Sequence, residues 1–219
     1  MVKTAIVIGS TGLIGSELLK ILLESPEYTQ VVTFVKRDLG IRHPKLTQHG
    51  IDFDKPETYE NLVVGDDFFC TIGTTIKKAG SQSAFRKVDY EYPRQFANFA
   101  RQNKVKNFLI ISSLNANAKS SNFYLKTKGD IQDFLKNCEF ESVAVLQPSL
   151  LLGNRAEFRF GEKVGSFFMQ TFSFVFQGNL KKYKTIEGET VAKAMFKIAQ
   201  RKDTGFKIYE SDAIQEIGK

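Results

Sequence analysis

The chain has no tryptophan, two cysteines, two histidines and five prolines in 219 residues. Each shortage excludes something. Cys70 and Cys138 lie far apart, without the paired spacing of a zinc site, and two thiols make no disulfide scaffold. They read as reduced structural thiols of a cytoplasmic protein. His43 and His49 sit in a polar stretch with no further ligands nearby, so no metal site is expected. No run of 18 apolar residues occurs, which excludes a spanning helix. "MVKTAIVIGS" carries too short an apolar run for a secretory leader. Internal repeats and low-complexity segments are also missing.

The formal net charge is +7, but the lysines and arginines are scattered in small groups. That pattern suits a solvated surface with a preference for small anionic ligands and argues against a nucleic-acid partner. A hydrophobic fraction of 42% supports a packed core. The length fits one domain over residues 1–219, with about 150–219 forming a smaller substrate-side extension.

Along the chain, short apolar β-branched runs alternate with helical patterns. "KTAIVIGS", "VVTFVKR", "LTQHGIDF", "DDFFCTIG", "VKNFLIISS" and "ESVAVLQPS" read as strands. "LIGSELLKILLES", "SQSAFRKVDYEYPRQFANFARQN", "SSNFYLKTKGDIQDFLKNC" and "GETVAKAMFKIAQR" read as helices, with Pro93 at a first-turn position or a kink. "DKPETYENL" suggests a short capped helix, "FKIYE" a further strand, and the last residues a turn. Such alternation implies an α/β fold, a doubly wound parallel sheet of Rossmann type with helices on both faces. Ligands of such sheets sit beyond the carboxyl ends of the strands.

In "VIGSTGLIGSELL", Gly9, Gly12 and Gly15 recur every third residue between the first strand and the first helix. Gly9 would make the tight turn, Gly12 would admit a phosphate and Gly15 would let the helix approach the strand. The backbone N–H groups of the turn, over Ser10, Thr11, Leu13 and Ile14, would face the anion. The end of the second strand selects the dinucleotide. An acid there accepts the ribose hydroxyl of NAD, whereas this chain has Lys36 and Arg37, which would pair with the 2′-phosphate of NADP(H). Asp52 and Phe53 after the third strand suit an adenine edge, the carboxylate accepting from the amine and the ring covering the base. Ile72 and Gly73 after the fourth strand would form the next wall.

Chemistry enters after the fifth strand. Tyr124 and Lys128 are four residues apart and share one helical face. An ammonium beside a phenol favours the phenolate and suits it to acid–base work. A serine hydroxyl from Ser112 or Ser113 would hold the reacting carbonyl oxygen.

The order glycine turn, basic strand end, Ser-Ser, then Tyr-x-x-x-Lys resembles an extended or atypical short-chain dehydrogenase/reductase. More narrowly, "CTIGTTIKKAG", "FRKVDYEYP", "SSNFYLKTKGDIQ", "LQPSLLLGNR" and the terminal "IQEIGK" are similar to the Tat-interacting-protein branch of NADPH-binding members, over almost the whole chain. The resemblance implies that Tyr124 transfers the proton, that Lys128 lowers the phenol's pKa and holds the nicotinamide ribose, and that Ser113 is the serine that orients the carbonyl. It also implies that the loop containing Pro148 and Leu151 neighbours the nicotinamide, and that Arg159 contacts a ligand. The expected activity is NADPH-dependent hydride transfer to a small carbonyl compound. An NADPH-binding regulatory protein is the alternative, and a nucleotide-sugar epimerase is disfavoured by length. A homodimer or a protein partner stays open, as does the aromatic stretch "SFFMQTFSFVF", which reads as core, lid, oligomer contact or membrane-surface helix.

Overall fold

The computed structural model describes residues 3–152, 183–201 and 203–219. The expected stretch "SFFMQTFSFVF" and Arg159 lie outside the described residues. Strand β1 (Lys3–Ile8) shows why the apolar runs do not alternate with polar residues. Ala5 and Val7 face one hydrophobic cluster while Ile6 and Ile8 face a second, so both sides of the strand are buried. The other strands of the sheet are β2 (Tyr28–Val35), β3 (Leu46–Gly50), β4 (Asp67–Cys70), β5 (Asn107–Ile111), β6 (Ser142–Gln147) and β9 (Gly205–Glu210). They pair in the order β3-β2-β1-β4-β5-β6-β9, every pairing parallel. Two short strands, β7 (Leu151–Leu152) and β8 (Ile186–Glu187), form a separate parallel pair.

One face of the sheet is covered by α1 (Leu13–Glu24), α6 (Gly188–Ala199) and α7 (Ser211–Gly218), which bury Leu18, Leu22, Met195 and Ile214 against Val7, Phe69 and Leu146. The other is covered by α4 (Tyr92–Gln102) and α5 (Phe123–Lys136), which bury Phe96, Ile131 and Leu135 against Ile8, Phe68 and Val145. The fold is the doubly wound Rossmann type that the alternation predicts.

"FKIYE" is a strand as expected, and joins the main sheet as β9. Three details differ from the sequence expectation. The last residues fold into α7 rather than a turn. "DKPETYENL" gives two single 3₁₀ turns, Pro56–Thr58 and Glu60–Leu62, in place of one capped helix. The reason is that Asp54, the natural cap, spends its carboxylate on Lys87 Nζ and Tyr92 Oη, each at 2.8 Å. The loop after β4 contains two short helices, α2 (Ile76–Ala79), capped by Thr75, and α3 (Gln82–Arg86), capped by Ser81. α3 runs into a π-helical turn, Lys87–Glu91, and then into α4, with Pro93 in that helix's first turn.

At the amino ends of the strands, Asp67 is fully buried and fully engaged. Tyr28 Oη donates to its Oδ2 at 2.5 Å, Lys3 Nζ approaches the same oxygen at 3.1 Å, and Asn107 Nδ2 donates to Oδ1 at 2.5 Å. Gln200 Nε2 of the α6 end donates to Tyr28 Oη at 2.9 Å. Burial, with the Asp67 charge behind it, pushes the Tyr28 phenol up, so it stays a donor. Tyr28→Phe takes one donor from Asp67 and the acceptor from Gln200. It should cost about 1–3 kcal/mol, read as a lower urea midpoint with an unchanged slope. No change in midpoint would mean the carboxylate is satisfied without the phenol.

Candidate active site

Strand register brings the predicted positions to one end of the sheet. Ile8 pairs with Phe34 and Cys70, Cys70 with Ile110, and Ile110 with Val145. The segments beginning at Gly9, Lys36, Thr71, Ser112 and Pro148 therefore leave the sheet side by side. Val35 pairs with Gly50, which adds the segment at Asp52. Sheet order reverses between β1 and β4, the crevice where ligands of open α/β sheets sit.

The turn after β1 is built on missing side chains. Gly9 has φ +84°, and a Cβ there would lie 2.5 Å from Ile72 N. A Cβ on Gly15 would lie 2.2 Å from Gly9 O and 2.5 Å from Thr71 Oγ1. Gly12 is the N-cap of α1, with no side-chain hydrogen bond to the helix start. Its own N–H closes the turn onto Gly9 O at 2.9 Å. The first N–H groups of α1 thus end in an uncapped, exposed turn at Thr11. Ser10 points inward instead, its oxygen accepting the Thr33 hydroxyl at 2.8 Å. Ile14 puts its side chain into the core, and Leu13 packs over Gly188, where a Cβ would come within 2.7 Å of its Cγ.

Lys36 and Arg37 are both exposed at the end of β2. Arg37 makes no ion pair among the described residues. Its neighbour Asp38 is occupied by Arg42, at 3.0 and 2.9 Å, and by the Gly40 N–H. The Arg42 guanidinium holds that carboxyl down to about 2.

Phe53 needs correction. Its ring is 5% exposed, packed on Tyr92 and Phe96, with Lys36 Nζ 5.9 Å from its centre. An aromatic packed on two rings of α4 gains more from the core than from solvent, so the ring is no open platform for a base. Asp52 is exposed, and its Oδ1 accepts the Asp54 N–H at 3.0 Å.

On the other side of the crevice, the Ser-Ser doublet splits in two. Ser112 is buried, accepting from Gln132 Nε2 at 2.5 Å, and Gln132 Oε1 in turn accepts from Gln147 Nε2 at 3.1 Å. Ser113 is half-buried, its hydroxyl making among the described residues only a long 3.5 Å contact to Leu114 O. Tyr124 is half-buried at the start of α5, its ring 5.4 Å from that of Phe85, and its hydroxyl has no hydrogen-bond partner among the described residues. Lys128, one turn further along the helix, is buried. Pro148 is buried, its carbonyl accepting the Leu114 N–H at 3.3 Å, and Leu151 pairs with Ile186.

Sequence reasoning missed Asp89. Its Oδ1 lies 2.7 Å from Lys128 Nζ, and its Oδ2 accepts the Thr74 N–H at 2.9 Å. No local pattern announces a contact across 39 positions, although the residue stands within the quoted "FRKVDYEYP". Gln132 was missed as well, and it had a signal: it follows Lys128 by four residues on the same helical face.

Protein FMP52, mitochondrial, from Debaryomyces hansenii is 33% identical over 200 residues, covering 90% of this chain and 87% of that protein. The chain belongs to the FMP52 family. Protein HTATIP2 from Rattus norvegicus, 32% identical over 164 residues, extends the kinship across 73% of this chain and 67% of that one. The expected likeness to the Tat-interacting-protein branch therefore stands. Among solved structures, the Bordetella bronchiseptica enzyme WbmH in complex with NAD+ matches with a TM-score of 0.71 at 16% identity, over 100% of this chain and 80% of that one. The oxidoreductase ylbE from Lactococcus lactis matches with 0.69 at 16% identity, over 98% and 94%. At such identity the likeness is one of fold. No family model matches the chain. The cytoplasmic location expected above is overturned, because FMP52 proteins of several yeasts are named mitochondrial. Reduced thiols argue only against an oxidising compartment and do not tell one reducing compartment from another.

Gly9→Ala should destabilise the turn, since the new Cβ meets backbone and the left-handed φ disfavours it. A loss of about 1–3 kcal/mol in denaturant unfolding is expected. A fully stable variant would show that the β1 and β4 turns can separate freely.

Proposed function

We propose that this protein is an NADP(H)-dependent oxidoreductase that interconverts a small carbonyl compound and its alcohol. The observation that carries the reading is that one face of α5 carries both Tyr124, whose hydroxyl has no partner among the described residues, and the buried Lys128 ammonium, close to Gly73. The residues present fit a nicotinamide dinucleotide. The uncapped α1 start offers N–H groups to a pyrophosphate, and Gly9 and Gly15 let the turn before that helix pack tightly against the segment after β4. Lys36 and Arg37 stand exposed where a 2′-phosphate would need cations, with the Asp38 charge already taken by Arg42.

When bound, the dinucleotide supplies the hydride. Tyr124 gives its hydroxyl proton to the carbonyl oxygen in reduction and takes it back in oxidation. Lys128 stabilises the negative charge left on the phenol oxygen and offers donors to the ribose hydroxyls. Ser113, rather than the fully engaged Ser112, is the hydroxyl left to hold the carbonyl oxygen. Pro148 and Leu151 border the nicotinamide end, and Ile72 with Gly73 walls the middle of the groove. A small carbonyl compound is the substrate class that a tyrosine acid needs.

Two experiments test the reading. NADPH should bind at least tenfold more tightly than NADH, about 1.4 kcal/mol, and alanines at Lys36 and Arg37 should erase the difference while sparing NADH. Equal affinity in the wild type would remove the NADP(H) assignment. In a screen of aldehydes, ketones and quinones, Tyr124→Phe should lower turnover by roughly 10²–10⁴ with NADPH affinity within a few fold. Turnover that ignores this change would sink the proton-transfer role, and tight NADPH binding without any turnover would favour a regulatory protein.

A further inference from the structure

The contact between Asp89 and Lys128 joins three parts of the chain that are remote in sequence. Asp89 rides on the π-helical turn Lys87–Glu91, a wide helix form frequent at functional sites. Its side chain is 0% exposed and that of Lys128 7%. Oδ2 accepts the Thr74 N–H, which fixes the turn after β4. Oδ1 has no partner among the described residues other than the ammonium, at 2.7 Å. Gly73 passes directly over both groups, since a Cβ there would lie 3.4 Å from Oδ1 and 3.7 Å from Nζ.

We propose that Asp89 is a positioning residue, the fixed counter-ion that holds the Lys128 ammonium and the Gly73–Thr74 turn in one arrangement at the floor of the crevice. Its bearing on catalysis rests on the dinucleotide reading, whereas the counter-ion role itself does not. An ammonium buried without an opposite charge gives up its proton instead of staying charged. Burial pushes Lys128 down, the Asp89 carboxylate outweighs it, and the net result is a lysine held above its ordinary value. The other ionisable groups that face it are Tyr124, from its own helix, and Cys70, from the end of β4. Burial pushes the Cys70 thiol up to about 12, so it brings no charge. Asp89 thus supplies the charge that keeps Lys128 an ammonium across the neutral and alkaline range. It also takes one side of that ammonium, so the lysine meets a ribose from a fixed direction.

Asp89→Asn keeps the shape and leaves an oxygen for the Thr74 N–H, but removes the charge. Lys128 would then titrate in the folded protein below its unfolded value. Between those two values the unfolded chain binds the extra proton, so stability rises with pH. Thermal unfolding from about pH 6 to about pH 9.5 should show the midpoint of Asp89→Asn climbing by several degrees relative to wild type. A double variant, Asp89→Asn with Lys128→Met, should follow the wild-type pH profile. If Asp89→Asn fails to fold and the double variant folds, the counter-ion role is supported. Parallel profiles for Asp89→Asn and wild type, or a double variant that also fails to fold, would overturn it. NADPH titration over the same range separates the two readings. Wild-type affinity should stay flat, while that of Asp89→Asn should weaken by about tenfold as pH rises. A wild type that binds no NADPH defeats the dinucleotide reading alone, and the unfolding comparison still decides the role of Asp89.

Discussion

The carbonyl of Ile8 accepts two hydrogen bonds from one residue, the Thr71 N–H at 2.9 Å and the Thr71 hydroxyl at 2.8 Å. This doubled bond draws the segment after β4 hard against the turn after β1. Everything at the carboxyl end of the sheet follows from that approach. Gly9 can have no Cβ because Ile72 occupies its place, and Gly15 can have none because Gly9 and Thr71 do. α1 consequently starts close to the sheet, at an N-terminus without a side-chain cap. The same segment, two residues on, places Gly73 over Asp89 and Lys128. A single backbone carbonyl thereby links the glycine turn to the far side of the crevice.

Charge is arranged differently at each depth of this end. At the rim, Lys36 and Arg37 are exposed and Asp38 is neutralised locally, which leaves a positive edge toward solvent. On the floor, Lys128 and Asp89 cancel each other out of water. An exposed charge is screened within about 10 Å at ordinary salt, so the rim attracts an anion only as it arrives. A buried pair is screened far less, and its influence is confined to the groups it touches. Attraction and alignment are therefore carried by separate residues, and a change in salt acts on the first without reaching the second. Behind the floor, Gln147, Gln132 and Ser112 form a neutral hydrogen-bonded row that fixes α5 to β5 and β6. The segment between Ser113 and Tyr124 is pressed onto the same helix, because Gly129 leaves room for Asn117 and Ala118 where a Cβ would clash at 2.1 Å.

Much of this was legible in the sequence because it is written in short range. A buried parallel strand declares itself by a β-branched run, as "AIVI" and "FLII" do. The glycine turn declares itself by spacing, and Tyr124 with Lys128 by a helical repeat. What stayed hidden depends on distant partners. Phe53 reads as an available ring until Tyr92 and Phe96, some 40 positions on, are folded over it. Asp54 reads as a helix cap until Lys87 and Tyr92 claim its oxygens. Asp89 is one of two acids in its helical stretch, and its partner Lys128 lies 39 positions on. α7 escaped because eight residues carry too little periodicity to separate a helix from a turn.

The position of β1 has a practical side. Its first residue, Lys3, touches Asp67 at the amino ends of the strands, and its last, Ile8, reaches the crevice five residues later. At roughly 3.3 Å per residue that separates the two by about 16 Å. Any polypeptide joined ahead of Lys3, whether a leader, a reporter or a purification handle, leaves from the end of the sheet opposite the glycine turn. Such an attachment starts clear of the crevice. The residues nearest to it are Lys3 and Asp67, which share an ion pair away from the glycine turn.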